Sequence, residues 1–187
     1  MGAAMNISQT PISGLMVAET ESHSDHRGAF SRLYCQEELQ GVVGSRRIVQ
    51  INQSRTNTVG AVRGLHFQHP PHAEMKLVRC IKGKVWDVAV DLRAGSPTFL
   101  KWHAEELSLN NARMVVIPEG CAHGFQVLEG DSELLYLHTD FYTPEVEGGV
   151  AHDDPRLTIA WPLPITDLSI RDQNHPPIYT NFSGITV

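Results

Sequence analysis

Turn-forming residues punctuate this chain about every 8–12 positions, a spacing that limits the fold more than any other feature. The signals are HRG at 26–28, NQS at 52–54, HPPH at 69–72, KGK at 82–84, RAGSP at 93–97, LNN at 109–111, PEG at 118–120 and EGDS at 129–132. Gly tolerates positive φ, Pro fixes φ, and Asn, Asp and Ser bond their own backbone, so each favours a reversal. Between the turns lie short runs: IVQIN (48–52), AVRGLHF (61–67), MKLVRCI (75–81), VWDVAVDL (85–92), LKWHAEEL (100–107), MVVI (114–117), GFQVL (124–128) and LLYLHT (134–139). Short strands at this spacing predict an all-β sandwich or barrel. Helix is scarce, and YCQEELQG (34–41) reads as a short one stopped at Gly41. The Pro-rich stretch 155–187 is irregular and is expected to wrap the barrel, so the 187 residues read as a single domain.

Charge and cysteine usage exclude several classes. Fifteen Lys and Arg against 21 Asp and Glu give a net charge of −6, which argues against a general nucleic-acid binder. No apolar run approaches the roughly 18 residues of a membrane span. Cys35, Cys80 and Cys121 are an odd, widely spaced set without CxxC. That suits a reducing, cytoplasmic compartment and gives no disulfide framework. The N-terminus MGAAMNISQT has neither a charged nor an apolar leader region, so no signal peptide is expected. Gly2 invites myristoylation, but Asn6 stands where that motif has Ser or Thr, and either Met1 or Met5 could be the start.

The run RGLHFQHPPHAEMKLVRC (63–80) carries the first candidate chemistry. A hairpin centred near Pro71 would set His66 opposite Lys76, with Cβ atoms about 5 Å apart. A neutral imidazole beside an ammonium is a base paired with a stabiliser of negative charge, and the cation favours the neutral ring. The plain alternative is a solvated surface hairpin. In IPEGCAHGF (117–125) a tight PxGxxH turn drops His123 onto the start of a strand, as it does for an inward His of cupin barrels. The HxH pair of metal cupins is absent, because Phe67 and Gln68 follow His66. His69, His72 and Glu74 could be drafted as ligands, but His69 and His72 sit beside the Pro-Pro tip and read as exposed loop histidines. Three or four convergent ligands at recognisable spacing are missing, so no metal site is expected.

Strand alternation sorts the remaining candidates. Leu134, Tyr136 and His138 share one face of a regular strand. A packing tyrosine is the commoner fate; a catalytic one must meet His66 across a cavity. Asp87 lies on the face opposite Trp86, Val88 and Val90, so it either meets solvent or pairs inward with a His or Arg. Arg27, Arg32 and Arg63 offer guanidinium forks for phosphate, or else solvated charge.

These motifs together resemble one family. DxRGxF (25–30), QxNxS (50–54), RGLHFQ (63–68), KLVRC through SPTF (76–99), IPEGCAHGFQVL (117–128), the LY–T–FY–P–E–G series (135–148), DP–I–WP (154–162) and LSxRD (168–172) resemble the dTDP-4-dehydrorhamnose 3,5-epimerases. The match covers roughly residues 15–175 in order. It implies a metal-free, homodimeric jelly-roll cupin with a few short helices and no cofactor. It implies a nucleotide-diphosphate 4-keto-6-deoxyhexose as substrate, epimerised at C3 and C5. By the same resemblance His66 is the base and Asp172 its carboxylate partner. Lys76 steadies the enolate oxygen, and Tyr136 returns a proton from the other face. His123 is the second inward His, with Asp87 beside it. Arg27, Phe30, Gln50, Asn52, Arg63 and Tyr142 fall where the family contacts diphosphate, base or sugar.

Three departures and one tension stand beside the match. Arg32 occupies a position where many members have Glu, which leaves another base open, since Arg has donors only. Phe141 replaces one of a common Tyr pair, and the segment from Asn52 to His66 is one residue longer than is typical. Arg63 and His66 would point to opposite faces of a regular strand. Either a bulge at Gly64 brings them together or Arg63 reaches a neighbouring subunit. Competing readings are a relative that acts at one carbon, a metal-dependent cupin, and a sugar-nucleotide-binding cupin without catalysis.

Overall fold

A computed structural model describes residues 5–187; Gly2, and the choice between Met1 and Met5, lie outside or at the edge of that range. The strands are β1 (Met5–Gln9), β2 (Met16–Thr20), β3 (Ser22–Asp25), β4 (Gly28–Ser31), β5 (Gln50–Thr56), β6 (Val62–Gln68), β7 (Lys76–Asp91), β8 (Trp102–Ser108), β9 (Arg113–Ile117), β10 (Cys121–His138) and β11 (Glu147–Gly149). Two single-turn helices, α1 (Gln40–Val43) and α2 (Ile170–Gln173), are the α-helix among the described residues. The all-β expectation therefore holds.

β7 and β10 build the barrel by crossing between its two layers. Residues 76–79 of β7 pair with β9, and residues 84–90 pair with β8. β10 follows β7 throughout, with register breaks between Val127 and Leu134. The two expected turns at 82–84 and 129–132 are therefore bends within long strands. Gly83, at φ +73°, supplies one of them, and a Cβ there would lie 2.4 Å from Ser132 Oγ. The NQS signal at 52–54 also lies inside a strand, β5, which pairs with β10. One layer is β1-β2-β9-β7-β10-β5 and the other β8-β7-β10-β6-β11.

Three buried clusters explain why many strands read as nearly continuous apolar runs. Val78, Cys80, Val85, Val115, Phe125 and Leu134 fill the space between the layers. Leu77, Met114 and Val116 face outward and are covered by Leu39 and Val43 around α1. Val88, Val90, Leu65 and Phe67 face outward from the other layer, beneath Trp161, Ile178, Phe182 and Ile185. MVVI thus has one apolar face for the barrel and one for its cover. The C-terminal stretch packs against the β8-β7-β10-β6-β11 layer through Trp161, Ile178, Phe182 and Ile185. Gln126, fully buried, holds it by accepting from Leu163 N and donating to Leu163 O. The helix expected over 34–41 forms later, at Gln40–Val43, with Gly41 inside it. Burial of Leu39 and Val43 decides the position over local propensity.

Strand pairing corrects the expected hairpin. β6 and β7 are not partners: β10 lies between them. His66 pairs with His123, and Lys76 with His138 and Ile117. The expected bulge is present. Arg63 pairs with Phe125 and His66 with His123, so β6 carries one residue more than β10 there. Gly64 takes φ +115°, and a Cβ on it would lie 2.6 Å from Gly124 Cα and His123 O. The bulge turns Arg63 and His66 to the same interior.

Candidate active site

A cleft opens between the layers in two adjoining lobes. The inner lobe, of about 260 Å³, is lined by His66, Lys76, His123, Tyr136, His138 and Glu74, among others. The outer lobe, of about 660 Å³, adds Asp172 and Ser169 and shares Asn52, Arg63, His66 and Tyr142 with the inner one. His66 comes from β6 in one layer. Lys76, Tyr136 and Asn52 come from the other layer.

Asp172 reaches His66 because the C-terminal cover is pinned to the barrel. Val62 N donates to Asp167 O at 3.0 Å, and Asp172 N donates to the capping Ser169 Oγ at 3.0 Å. Asp172 Oδ1 then lies 2.8 Å from His66 Nε2, and Oδ2 accepts Gly64 N–H at 3.2 Å. Burial alone would raise this carboxyl. The His66 bond, the His66 charge and the Gly64 N–H outweigh burial and hold it at about 2. An ionised carboxylate only accepts, so His66 carries its proton on Nε2 and presents the Nδ1 lone pair.

A second chain of polar groups crosses the floor. His123 Nε2 lies 2.8 Å from Asp87 Oδ2, so Asp87 pairs inward. Tyr136 stands edge-on to His123, with ring centroids 6.1 Å apart. Its hydroxyl is 2.9 Å from Ser54 Oγ. Burial raises the Tyr136 pKa, so the phenol stays protonated at neutral pH. Lys76 Nζ lies 3.2 Å from Glu74 Oε1, and Glu74 Oε2 lies 2.7 Å from His138 Nδ1. Burial would raise Glu74, yet His138 and Lys76 together lower it.

At the mouth, Tyr142 N donates to Gln50 Oε1 at 3.2 Å, and Tyr142 OH donates to Glu147 Oε2 at 2.8 Å. Arg171 holds the same Glu147 at 2.8 Å. Two expected contact residues lie elsewhere in this chain. Arg27 and Phe30 sit on the separate β3–β4 hairpin, and Phe30 is 69% exposed. Arg32, in the position of the missing carboxylate, is ion-paired with Glu38. At the level of sequence, Glu74 is weighed only as a possible metal ligand, and no role is assigned to His175, Ser54 or Glu147. Alternation could have found Glu74, two residues before Lys76. His175 sits in irregular chain, where no period exists to read.

His66, Asp172 and His175 have their ligand atoms within 4.8 Å of one another, the one group with metal-ligand spacing among the described residues. In the dyad described above, however, His66 Nε2 is a donor to Asp172 and has no lone pair to offer. His69 lies away from both lobes, against Phe67.

The chain is similar throughout to known proteins. The family model described as dTDP-4-dehydrorhamnose 3,5-epimerase matches residues 9–179. A dTDP-4-dehydrorhamnose 3,5-epimerase of Shigella flexneri is 42% identical over 171 residues, covering 91% of this chain and 94% of the relative. The solved dTDP-6-deoxy-D-glucose-3,5-epimerase of Legionella pneumophila, in complex with dTDP-4-keto-L-rhamnose, superposes with a TM-score of 0.88 at 40% identity, covering 92% of each chain. A dTDP-4-dehydrorhamnose 3-epimerase of Streptomyces niveus is 37% identical, covering 91% of this chain and 82% of the relative. Fold and likeness together define a jelly-roll cupin of the isomerase class. Within that class, the chain belongs to the dTDP-4-dehydrorhamnose 3,5-epimerase family.

Proposed function

We propose that this chain epimerises a dTDP-linked 4-keto-6-deoxyhexose at C3 and C5 through enolate intermediates. The observation that carries this reading is the pair of walls: His66 with Asp172 on one layer, Tyr136 and Lys76 on the other, around one cavity. Protons α to a ketone become removable when the enolate oxygen is stabilised. Lys76 serves that oxygen at C4. His66 Nδ1 takes the proton, and Asp172 stabilises the resulting imidazolium and fixes the tautomer. Inversion needs a proton returned from the other side, and the protonated phenol of Tyr136 supplies it. This chemistry requires no redox cofactor or metal. His123 and Asp87 shape the sugar end of the floor. Arg63, Gln50, Asn52 and Tyr142 bind the diphosphate side of the substrate at the cleft mouth, where the guanidinium of Arg63 suits phosphate.

Arg27 and Phe30 reach such a site from a second copy of the chain, as a homodimer. Exposed Phe30, Ile51, Phe141 and Tyr142 support an apolar contact surface near the hairpin and the mouth. The three free cysteines, Cys35, Cys80 and Cys121, favour work in the reducing cytoplasm. No described helix is long and apolar enough to cross a membrane.

The test is solvent exchange. Purified protein is incubated with dTDP-4-keto-6-deoxyglucose in D₂O, and the C3 and C5 protons are followed by NMR. Loss of both signals, abolished in His66→Ala, is the expected result. Loss of one signal alone would mean a single-carbon enzyme, as the name of the Streptomyces niveus 3-epimerase describes for that relative. Binding without exchange would overturn the catalytic reading.

A further inference from the structure

A second histidine shares the carboxylate of the His66 dyad. His175 Nε2 lies 3.5 Å from Asp172 Oδ1, the oxygen that His66 also uses. The two imidazoles meet edge to face, with centroids 5.3 Å apart. His175 is largely buried, and its Nε2 has no hydrogen-bond partner. It lines neither lobe of the cleft; its ring borders a separate apolar recess beneath the C-terminal cover.

The fold makes room for this ring at one backbone position. Gly149 of β11 pairs with His66. A Cβ on Gly149 would lie 2.1 Å from His175 Cε1 and 2.2 Å from its Nδ1. Such approaches cannot be met by small shifts, so the ring stands where it does because residue 149 has no side chain. Pro176 O accepts from Ala151 N at 3.1 Å and fixes the chain just beyond the ring.

We propose that His175 is a positioning residue of the epimerase site: its imidazole, seated on Gly149, is a second partner for Asp172 and sets how firmly that carboxylate holds His66. This rests on the reading of His66 as the base. One carboxylate serves two rings, and both rings cannot be cationic at 5.3 Å without strong repulsion. Burial, then the His66 charge, lowers the His175 pKa, while Asp172 works the other way. Arg171 adds to the lowering and Glu147 opposes it. A neutral His175 therefore leaves Asp172 to His66 at working pH. A proton on His175 at lower pH draws Asp172 away and makes His66 a poorer base.

The test measures pH profiles of kcat and KM for wild type, His175→Gln, His175→Phe and Gly149→Ala, with the His66 ring titrated directly by NMR. Neither Gln nor Phe can take up the proton. The acid limb of kcat and the His66 titration should both move up by about 0.5–1 pH unit in these two variants, because the repelling cation is gone. The neutral-pH kcat should fall about two- to tenfold further in Phe than in Gln, because the Gln amide can donate to Asp172 and Phe cannot. KM should change little, since the ring lines neither lobe. Gly149→Ala, which expels the ring, should reproduce the shift seen in Phe. An acid limb and a His66 titration that stay fixed in a folded His175→Gln protein would overturn the proposal. If His66→Ala itself retained exchange, the reading of the base would fail instead, and the NMR titration would still report whether the two rings are coupled.

Discussion

Asp172 holds His66 at 2.8 Å across 106 residues of chain, and both of its oxygens are in use. Oδ1 accepts from the ring and Oδ2 from Gly64 N–H. Asn cannot satisfy both donors, because its NH₂ must face one of them. Asp172→Asn therefore either loses the Gly64 bond or forces His66 into the wrong tautomer. The expected loss in kcat is about 10²–10⁴-fold, with the protein still folded by circular dichroism. A rate within tenfold of wild type, read by C3 and C5 exchange, would remove Asp172 from the mechanism.

Tyr136→Phe separates two events that the wild type couples. Proton removal by His66 does not need the phenol, but return from the other wall does. Some exchange of the substrate protons should survive, while net epimer falls by about 10²-fold or more. Exchange and product are both read in one NMR time course. Proportional loss or retention of the two would leave Tyr136 with packing alone, consistent with its place at the edge of the interior cluster.

Lys76→Met tests the enolate stabiliser. Lys76 and His138 together keep Glu74 charged against its burial. Without Lys76, the enolate loses its cation and Glu74 loses one partner. The expected drop in kcat is about 10²–10³-fold. Glu74 should take up a proton at a higher pH than in wild type, which a difference titration of the two proteins measures. If kcat is retained, the cation lies outside the reaction.

Much of this was legible from residue order. Turn chemistry placed most strands, and alternation put Tyr136 and His138 on one face and Asp87 opposite Trp86. The wrong pairing of His66 with Lys76 has a physical source. Local sequence favours a hairpin through the Pro-Pro tip, but β10 enters between β6 and β7 from about 50 residues further on. Only the shared interior core decides that pairing. KGK and EGDS are turn sequences used as bends, because β7 and β10 stay paired on both sides of them. His175 was invisible, since its partner and its seat, Asp172 and Gly149, lie in different segments.

Acid should weaken the fold in a defined window. Asp91 is held by Arg93, Ser96 and Thr98, which outweigh burial and keep its carboxyl at about 2. Asp172 is held equally low. A depressed carboxylate stabilises the folded state above its unfolded pKa of about 4, and that stability is lost as pH falls towards 2. The Tm should be level above pH 5 and fall between pH 4 and pH 2. The Asp91 side chain is fully buried against Arg93. Asp91→Asn should lower the Tm at pH 7 by roughly 6–12 °C, for about 3 kcal/mol lost. Its curve should also be flatter between pH 4 and pH 2. An equally steep curve would assign the acid loss to other carboxylates.

Gly64→Ala strikes the bulge on which the cleft depends. At φ +115° an L side chain is strained, and the added Cβ meets backbone at 2.6 Å on β10. Backbone cannot move aside as a flexible side chain can. β6 must then shift away from β10, slip its register, or lose the bulge. Any of these turns Arg63 or His66 from the interior and removes the Gly64 N–H from Asp172. The expected cost is about 2–4 kcal/mol, a Tm lower by roughly 4–16 °C. Exchange activity should fall more than stability explains, measured at a temperature where the variant is still folded. A folded variant with wild-type activity would mean that the bulge is dispensable, and that Arg63 and His66 reach their places by another route.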